Sequence, residues 1–250
     1  MQKKNIYFAS DFHFGVPNRK ASIERENKFI DWLDKIKHDA KEIYLLGDLF
    51  DFWFEYKTVI PKGYIRLLGK LAEINDCGIP IHFFKGNHDL WMFGYFKNEL
   101  GINVHNKPIT KEWNGLKFFI GHGDGLGPGD QGYKFLKIIF TNKVCQFLFN
   151  WLHPDIGIRI ALWWSGKSRY QNKKRGMDKY KGHEKEPLYQ FCTKQLEKEH
   201  FDYFILGHRH LALNIKLNNN SRYVNLGDWI SLFTYAVFDG EKVEIKKYEV

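Results

Sequence analysis

Five short apolar runs in this 250-residue chain end in the same manner, and that recurrence narrows the folds open to it. NIYFA (5–9) runs into Ser10-Asp11-Phe12-His13, and EIYLL (42–46) into Gly47-Asp48-Leu49-Phe50-Asp51. PIHFF (80–84) leads to Gly86-Asn87-His88-Asp89, and LKFFI (116–120) to Gly121-His122-Gly123-Asp124. DYFIL (202–206) leads to Gly207-His208-Arg209-His210. Apolar runs of this length, separated by amphipathic stretches, read as strands of a layered α/β architecture. Ligands of such sheets sit outside the carboxyl ends of the strands, so side chains at five ends can meet in one place. Any one cluster alone reads as a turn. Five in series do not.

The intervening stretches are helical in pattern. SIERENKFIDWLDKIKH (22–38) places Ile23, Phe29, Ile30, Leu33 and Ile36 on one stripe, and PKGYIRLLGKLAEIND (61–76) has Pro61 suited to a first helical turn. After residue 210 the pattern changes to strands with tight turns, and Asp239-Gly240 predicts a hairpin. Cys77, Cys145 and Cys192 are odd in number and far apart, which fits free thiols in a reducing cytosol. The opening MQKKNIYFAS is too briefly apolar for a signal peptide, and no run reaches the ~18 apolar residues of a membrane span.

Residues 126–185 break the rhythm. They are loaded with Phe, Leu, Ile and Trp, and between Lys134 and Lys185 carry twelve Lys/Arg against Asp155, Asp178 and Glu184. Within a single domain spanning 1–250 they read as a helical insertion. One reading makes it a further pair of core helices. The other makes it a lid whose inner face, with Phe135, Ile138, Phe147, Leu148, Trp151 and Trp163, suits an amphiphilic anionic ligand. The net charge of +9 points to an anionic substrate, a nucleic acid or an anionic membrane surface. A nucleic-acid groove needs a mainly cationic polar face, which this densely apolar segment lacks.

The chemistry at the strand ends is specific. Two carboxylates, an amide oxygen and four imidazoles form a mixed nitrogen and oxygen set suited to manganese, iron or zinc; calcium and magnesium favour oxygen alone. Seven donors exceed one ion and suit two sharing a carboxylate, a pair able to clamp a phosphoryl group and activate water.

The order Asp-x-His, Gly-Asp-x-x-Asp, Gly-Asn-His-Asp, Gly-His and Gly-His-x-His resembles the signature of the calcineurin-like metallophosphoesterases. The resemblance implies a four-layer αββα sandwich. It implies one ion on Asp11, His13, Asp48 and His210 and a second on Asp48, Asn87, His122 and His208, with Asp48 bridging. His88 would contact the phosphate and protonate the leaving oxygen, with Asp89 orienting its ring. Within that superfamily, GDLFDFWFEY (47–56), HGDGLGPGDQGYKFLK (122–137) and an insertion ending in SGKSR (165–169) resemble the UDP-2,3-diacylglucosamine pyrophosphatases of lipid A synthesis.

That second resemblance implies hydrolysis to UMP and 2,3-diacylglucosamine 1-phosphate, and a lid over the acyl chains. Asp130, Tyr133, Ser165, Lys167 and Arg169 would meet the glucosamine and diphosphate. The cofactor would be two divalent ions, manganese first, with iron or zinc as alternatives. The enzyme would work in the cytoplasm, peripheral on the inner face of an anionic membrane, on a nucleotide-linked acylated sugar and without nucleic acid. That branch has Gly-Asn-Arg-Asp where this chain has His88, so another pyrophosphate or phosphodiester, or a nuclease substrate, stands as the alternative. A non-catalytic scaffold comes last, because every ligand position is filled.

Overall fold

The computed structural model describes residues 4–174 and 179–249; residues 175–178, inside the expected insertion 126–185, lie outside the described part. Two sheets face one another. In the first, β1 (Asn5–Ala9), β2 (Ala40–Leu45), β3 (Ile81–Phe84) and β4 (Asn103–His105) run parallel. The antiparallel β10 (Thr234–Phe238) and β11 (Val243–Lys247) complete the order β11-β10-β1-β2-β3-β4. The second sheet has the order β5 (Ile109–Trp113), β6 (Leu116–Gly121), β7 (Tyr203–Leu206), β9 (Arg222–Leu226), β8 (Ala212–Lys216), with β6, β7 and β9 parallel.

The period of two along each strand sorts side chains into three cores. Ile6, Phe8, Tyr44 and Leu46 meet Phe118, Ile120, Ile205, Val224 and Leu226 between the sheets. Their neighbours Tyr7, Ala9, Ile43, Leu45, Ile81 and Phe83 point outward, onto α1 (Arg19–Ile36), α2 (Ile65–Asp76) and α3 (Tyr95–Leu100). On the far side, Phe204, Leu206 and Tyr223 pack on Leu188 and Cys192 of α7 (Pro187–Leu196). The layers run α, β, β, α. Central strands are covered on both faces, which is why they read as unbroken apolar runs.

The five expected strands form within two residues of their predicted bounds, and the Asp239-Gly240 turn joins β10 to β11. Two helix details differ. Helix α2 begins at Ile65, leaving Pro61 in the preceding loop. Helix α1 begins at Arg19, where Asn18 Oδ1 accepts from the Ala21 amide (3.0 Å), and its inward face is Ser22, Arg25, Glu26, Phe29, Trp32, Leu33 and Ile36, with Ile23 exposed. Arg25 takes an inward place because its guanidinium donates to the carbonyls of His13 (3.0 Å) and Val16, tying down the loop after β1. All three cysteines are free.

Helices α4 (Gln131–Thr141), α5 (Lys143–Asn150) and α6 (Pro154–Lys174) lie between β6 and α7 in sequence. No residue of α4 or α5 is fully buried, so these two are not core helices. Among the described residues no helix is long and apolar enough to cross a membrane.

Candidate metal centre

Because β1, β2 and β3 are mutually parallel, as are β6 and β7, their carboxyl ends deliver the polar clusters to common edges of the two sheets. The backbone then turns left-handed at the side chains that matter. Asp11, His13, Asp48, His208 and His210 have φ between 46° and 69°, five of the nine non-glycine residues with positive φ among those described. Such conformations are costly for L residues and persist where surrounding structure enforces them. Glycine is needed where these loops crowd one another. A Cβ on Gly47 (φ 85°) would lie 2.6 Å from His122 Nδ1, and one on Gly86 would run into the Asp48 carboxylate.

The seven expected ligands converge. Asp11 Oδ2 accepts from Ser10 Oγ (2.6 Å) and the His208 amide (2.8 Å), which leaves Oδ1 facing His210 Nε2 at 3.4 Å. Asp48 Oδ1 accepts from the His88 amide (2.8 Å), while Oδ2 lies 3.6 Å from His13 Nε2 and 3.4 Å from His122 Nε2. One oxygen thus faces both halves of the cluster. Asn87 Oδ1 is 3.3 Å from His122 Nε2 and 2.9 Å from His208 Nδ1. The His122 Nδ1–H donates to the Leu46 carbonyl (2.6 Å), which turns Nε2 inward.

Asp11, His13 and His210 are spaced to hold one cation, and Asp48, His122 and His208 to hold another. Asp11 Oδ1 and both ring nitrogens of His13 are buried without a hydrogen-bond partner. Leaving such atoms unpaired is costly, and a divalent cation among them removes the cost. A third grouping, His13, Asp51 and His88, has similar spacing. Its carboxylate is already engaged, because Asp51 receives Ser165 Oγ (3.0 Å) and Arg169.

Charge in the protein alone is distributed accordingly. Burial works against a charged His122, yet the Asp48 carboxylate outweighs it and pushes the imidazole up to about 10. Burial, reinforced by the charge on His122, brings His208 down to about 4. Burial likewise lowers His13. Asp48 stays well below the carboxylate range: burial opposes its charge, but His122 and His88 outweigh burial.

His88 stands beside the cluster, its ring centroid 4.6 Å from that of His13. Its Nδ1–H donates to the Asp51 carbonyl (3.0 Å) and also lies 3.1 Å from Ser165 Oγ, so Nε2 is the nitrogen left for a ligand. Asp89 does not orient this ring. Its carboxylate accepts from the amides of Gly86 (2.7 Å) and Leu49 (2.8 Å) and so braces the two loops that carry Asp48 and Asn87. The Asp51 backbone carbonyl positions His88, and the Asp51 carboxylate holds the Ser165 hydroxyl that flanks the same nitrogen. The second Asp of Gly-Asp-x-x-Asp, three places after Asp48, is the sequence signal for that carboxylate.

Asp124, which closes Gly121-His122-Gly123-Asp124, is a second bracing carboxylate. It is buried, and receives the Tyr133 hydroxyl and Lys137 Nζ (2.5 Å). Asp228 follows β9 in the pattern Leu226-Gly227-Asp228 and faces His210 Nδ1 at 3.7 Å, a sixth strand end of the same kind.

A cavity of about 220 Å³ opens beside Asn87, His88 and Asp51. Its walls are Tyr133, Leu136 and Phe140 of α4, Phe149 of α5, and Ile160, Trp164 and Ser165 of α6. The residues expected to face inward, Phe135, Ile138, Phe147, Leu148, Trp151 and Trp163, instead face outward and are exposed. Of the five substrate contacts expected on the insertion, Tyr133 and Ser165 line the cavity and Arg169 reaches Asp51. Asp130 is exposed and caps nothing with its side chain, and Lys167 is exposed with Nζ 5.2 Å above the Trp163 ring. Neither joins the site.

Residues 4–212 match the calcineurin-like phosphoesterase family. The chain is 37% identical over 258 residues to UDP-2,3-diacylglucosamine hydrolase of Porphyromonas gingivalis, covering 99% of this chain and 98% of that protein. It is 26% identical over 222 residues to the hydrolase of the same name from Shewanella sp. (strain W3-18-1), covering 89% and 88%. A third of that name, from Yersinia pseudotuberculosis serotype O:1b, is 28% identical over 66% of this chain and 67% of its own length.

Proposed function

The chain belongs to the calcineurin-like phosphoesterase family and is a metal-dependent hydrolase, and on that premise we propose that it cleaves the pyrophosphate of UDP-2,3-diacylglucosamine, releasing UMP and 2,3-diacylglucosamine 1-phosphate. The observation that carries this reading is a cluster of seven convergent donor side chains beside a largely apolar cavity. A water-soluble diester would need the first and have no use for the second.

Asp11, His13, Asp48 and His210 would hold one ion, and Asp48, Asn87, His122 and His208 the other. Two divalent ions, manganese in this proposal, would supply Lewis acidity at the phosphoryl oxygens and lower the pKa of bound water. The rest falls to the chain. Asp48 sets the spacing of the two halves through a single oxygen. Asp51 and Ser165 fix the His88 ring at Nδ1, and Nε2 is then placed to give a proton to the departing sugar phosphate oxygen. Asp89 holds the loops at a constant distance. Arg169, joined to Ser165 Oγ at 2.7 Å, brings a guanidinium to the edge of the diphosphate position.

Residues 126–185 act as the lid, with the inner faces of α4 and α6 against an acyl chain. Their outer faces combine exposed Trp151, Trp163 and Phe147 with exposed Lys143 and Lys167, a pairing suited to an anionic bilayer surface. The enzyme is placed by this reading in the cytoplasm, peripheral on the inner face of the membrane. The decisive measurement is phosphate-bond hydrolysis, with and without chelator, across acylated UDP-glucosamine, its deacylated form and a short oligonucleotide. Manganese-dependent release of UMP from the acylated form alone is expected. Equal rates on the deacylated form would remove the lipid substrate, and preference for the oligonucleotide would make the protein a nuclease.

A further inference from the structure

Arg209 separates the two histidines of Gly207-His208-Arg209-His210, and those histidines serve different halves of the centre. His208 stands with Asp48 and His122, and His210 with Asp11 and His13. A side chain between them is placed to set one half relative to the other. Its guanidinium is pinned. Nε donates to Glu186 Oε1 at 2.9 Å and Nη2 to Glu186 Oε2 at 3.2 Å, a two-pronged pairing with a carboxylate only 1% exposed. Resting on the two-cation reading above, we propose that Arg209, gripped by Glu186, is a positioning residue that holds His208 and His210 in register so that both cations bind.

The tripeptide needs an anchor. His208 and His210 have φ of 69° and 52°, conformations that a residue keeps only under outside constraint. Before His208 the sheet supplies it. The Gly207 amide donates to the His122 carbonyl (2.8 Å), Asn225 Nδ2 donates to the Gly207 carbonyl (2.5 Å), and a Cβ on Gly207 would lie 2.5 Å from Ser10 Oγ. After His208, Arg209 reaches across to Glu186, which directly precedes α7, where the insertion rejoins the fold. Helix α7 is a firm base, because its Leu188 and Cys192 pack on Phe204, Leu206 and Tyr223. Its first turn also abuts the loop after β6. A Cβ on Gly123, next to His122, would lie 3.1 Å from Leu188 Cδ1, and one on Gly127 would run into the Pro187 carbonyl. His122, His208 and His210 are thus referred to one packed body, and the Arg209–Glu186 pair is a link for the last two. An ammonium could neutralise Glu186, but a planar fork fixes orientation as well as distance.

The test is titration of the whole chain, stripped by chelator, with Mn²⁺ alone, followed by calorimetry for affinity and by electron paramagnetic resonance for coupling between the ions. Arg209→Ala would leave Glu186 buried and unpaired, confounding folding with metal binding. The double variant Arg209→Met, Glu186→Leu removes the grip while filling the space with apolar groups, so its melting temperature should stay near the parent's. Its Mn²⁺ affinity should nevertheless fall by about ten- to hundredfold at both sites. The coupled two-ion signal of the parent should give way to that of isolated ions. Arg209→Lys should lose less, about three- to tenfold, because one donor still reaches the carboxylate. Parent affinities in the double variant, or a loss confined to one site, overturn the proposal, as do parent affinities in Arg209→Lys should the double variant not fold. A parent that never takes up two Mn²⁺ ions would instead overturn the two-cation reading on which it rests.

Discussion

Aromatic residues do opposite work in two regions of this molecule. Beneath the strand ends, Trp32, Trp53 and Trp229 are wholly buried, and the rings of Phe29, Trp32 and Trp229 meet with centroids 5.1–5.4 Å apart. In α4–α6, Trp151 is 76% and Trp163 is 64% exposed. The first region derives its rigidity from packing, and holds five strained backbone positions in place with it. The second is attached to the first by polar contacts to two buried carboxylates, Tyr133 and Lys137 to Asp124 and Ser165 and Arg169 to Asp51, and by Phe140 and Phe149 packed on Trp91, Phe52 and Phe54. Those carboxylates lie two and three residues after His122 and Asp48. The contrast teaches that side chains which must hold a fixed geometry are braced on every side, whereas a surface meant for an apolar ligand is left uncovered.

The largest effects should come from breaking the braced region. Asp48→Ala removes the one oxygen that faces both halves, and should lower turnover by about a thousandfold or more together with a loss of bound metal measured by elemental analysis. Full metal occupancy in that variant would contradict the bridging assignment. His88→Ala should cost about a hundredfold to ten-thousandfold in kcat while both ions stay bound. Loss of metal from it would move His88 into the coordination sphere, alongside the His13, Asp51 and His88 grouping. Neither substitution should disturb the helices, and matched hydrogen-exchange profiles over 131–150 would establish that.

The same contrast explains what was legible in the sequence. Strand ends can be read because a buried strand is an unbroken apolar run, and because Gly, Asp, Asn and His stand out where it stops. Their order along parallel strands then fixed the meeting place. Second-row carboxylates were harder to read. Asp51 and Asp124 follow two of the same strands and Asp228 follows β9, but nothing local distinguishes an acid that braces from one that merely turns. Asp89 went the other way: adjacency to His88 suggested a partner, while its carboxylate in fact collects backbone amides. The helices were legible in type and not in phase. Helix α4 presents Tyr133, Leu136 and Phe140 inward and Phe135 and Ile138 outward, and both sets are apolar at helical spacing. A helix with large apolar residues on opposite faces carries little signal for which face is covered.

That ambiguity can be broken by experiment at the uncovered face. Replacing Trp151 and Trp163 together with Ala should leave the melting temperature nearly unchanged, since both rings are largely exposed. It should weaken binding to vesicles rich in anionic lipid by about tenfold or more, because each ring would otherwise bury apolar surface worth about 1.5–3 kcal/mol. Co-sedimentation at low and high salt reads this directly. A drop in melting temperature with unaltered vesicle binding would place these rings in the protein's own packing and erase the distinction between the two regions.

The smallest effect belongs to the frame between them, and it is needed to interpret any acid profile. Lowering pH protonates the histidines of a metal centre and releases its ions, so acid loss of activity and acid unfolding can be mistaken for one another. Glu42, on β2 away from the ligands, isolates the second. Its carboxylate is held down to about 2 chiefly by His82, 3.4 Å from Oε2, with the Tyr44 hydroxyl donating at 2.6 Å, while burial opposes the charge. A depressed carboxyl stabilises the fold fully above its unfolded value of about 4.5, and that contribution is lost as pH falls towards about 2. Glu42→Gln should therefore be less stable by about 1–3 kcal/mol at pH 5 and differ little from the parent near pH 2. Denaturant midpoints on chelated protein at both values measure the difference. With the frame's share of the acid profile removed, whatever acid lability remains in the metal-loaded enzyme belongs to the strand ends. A variant gap as wide near pH 2 as at pH 5 would show that Glu42 acts through packing instead of charge.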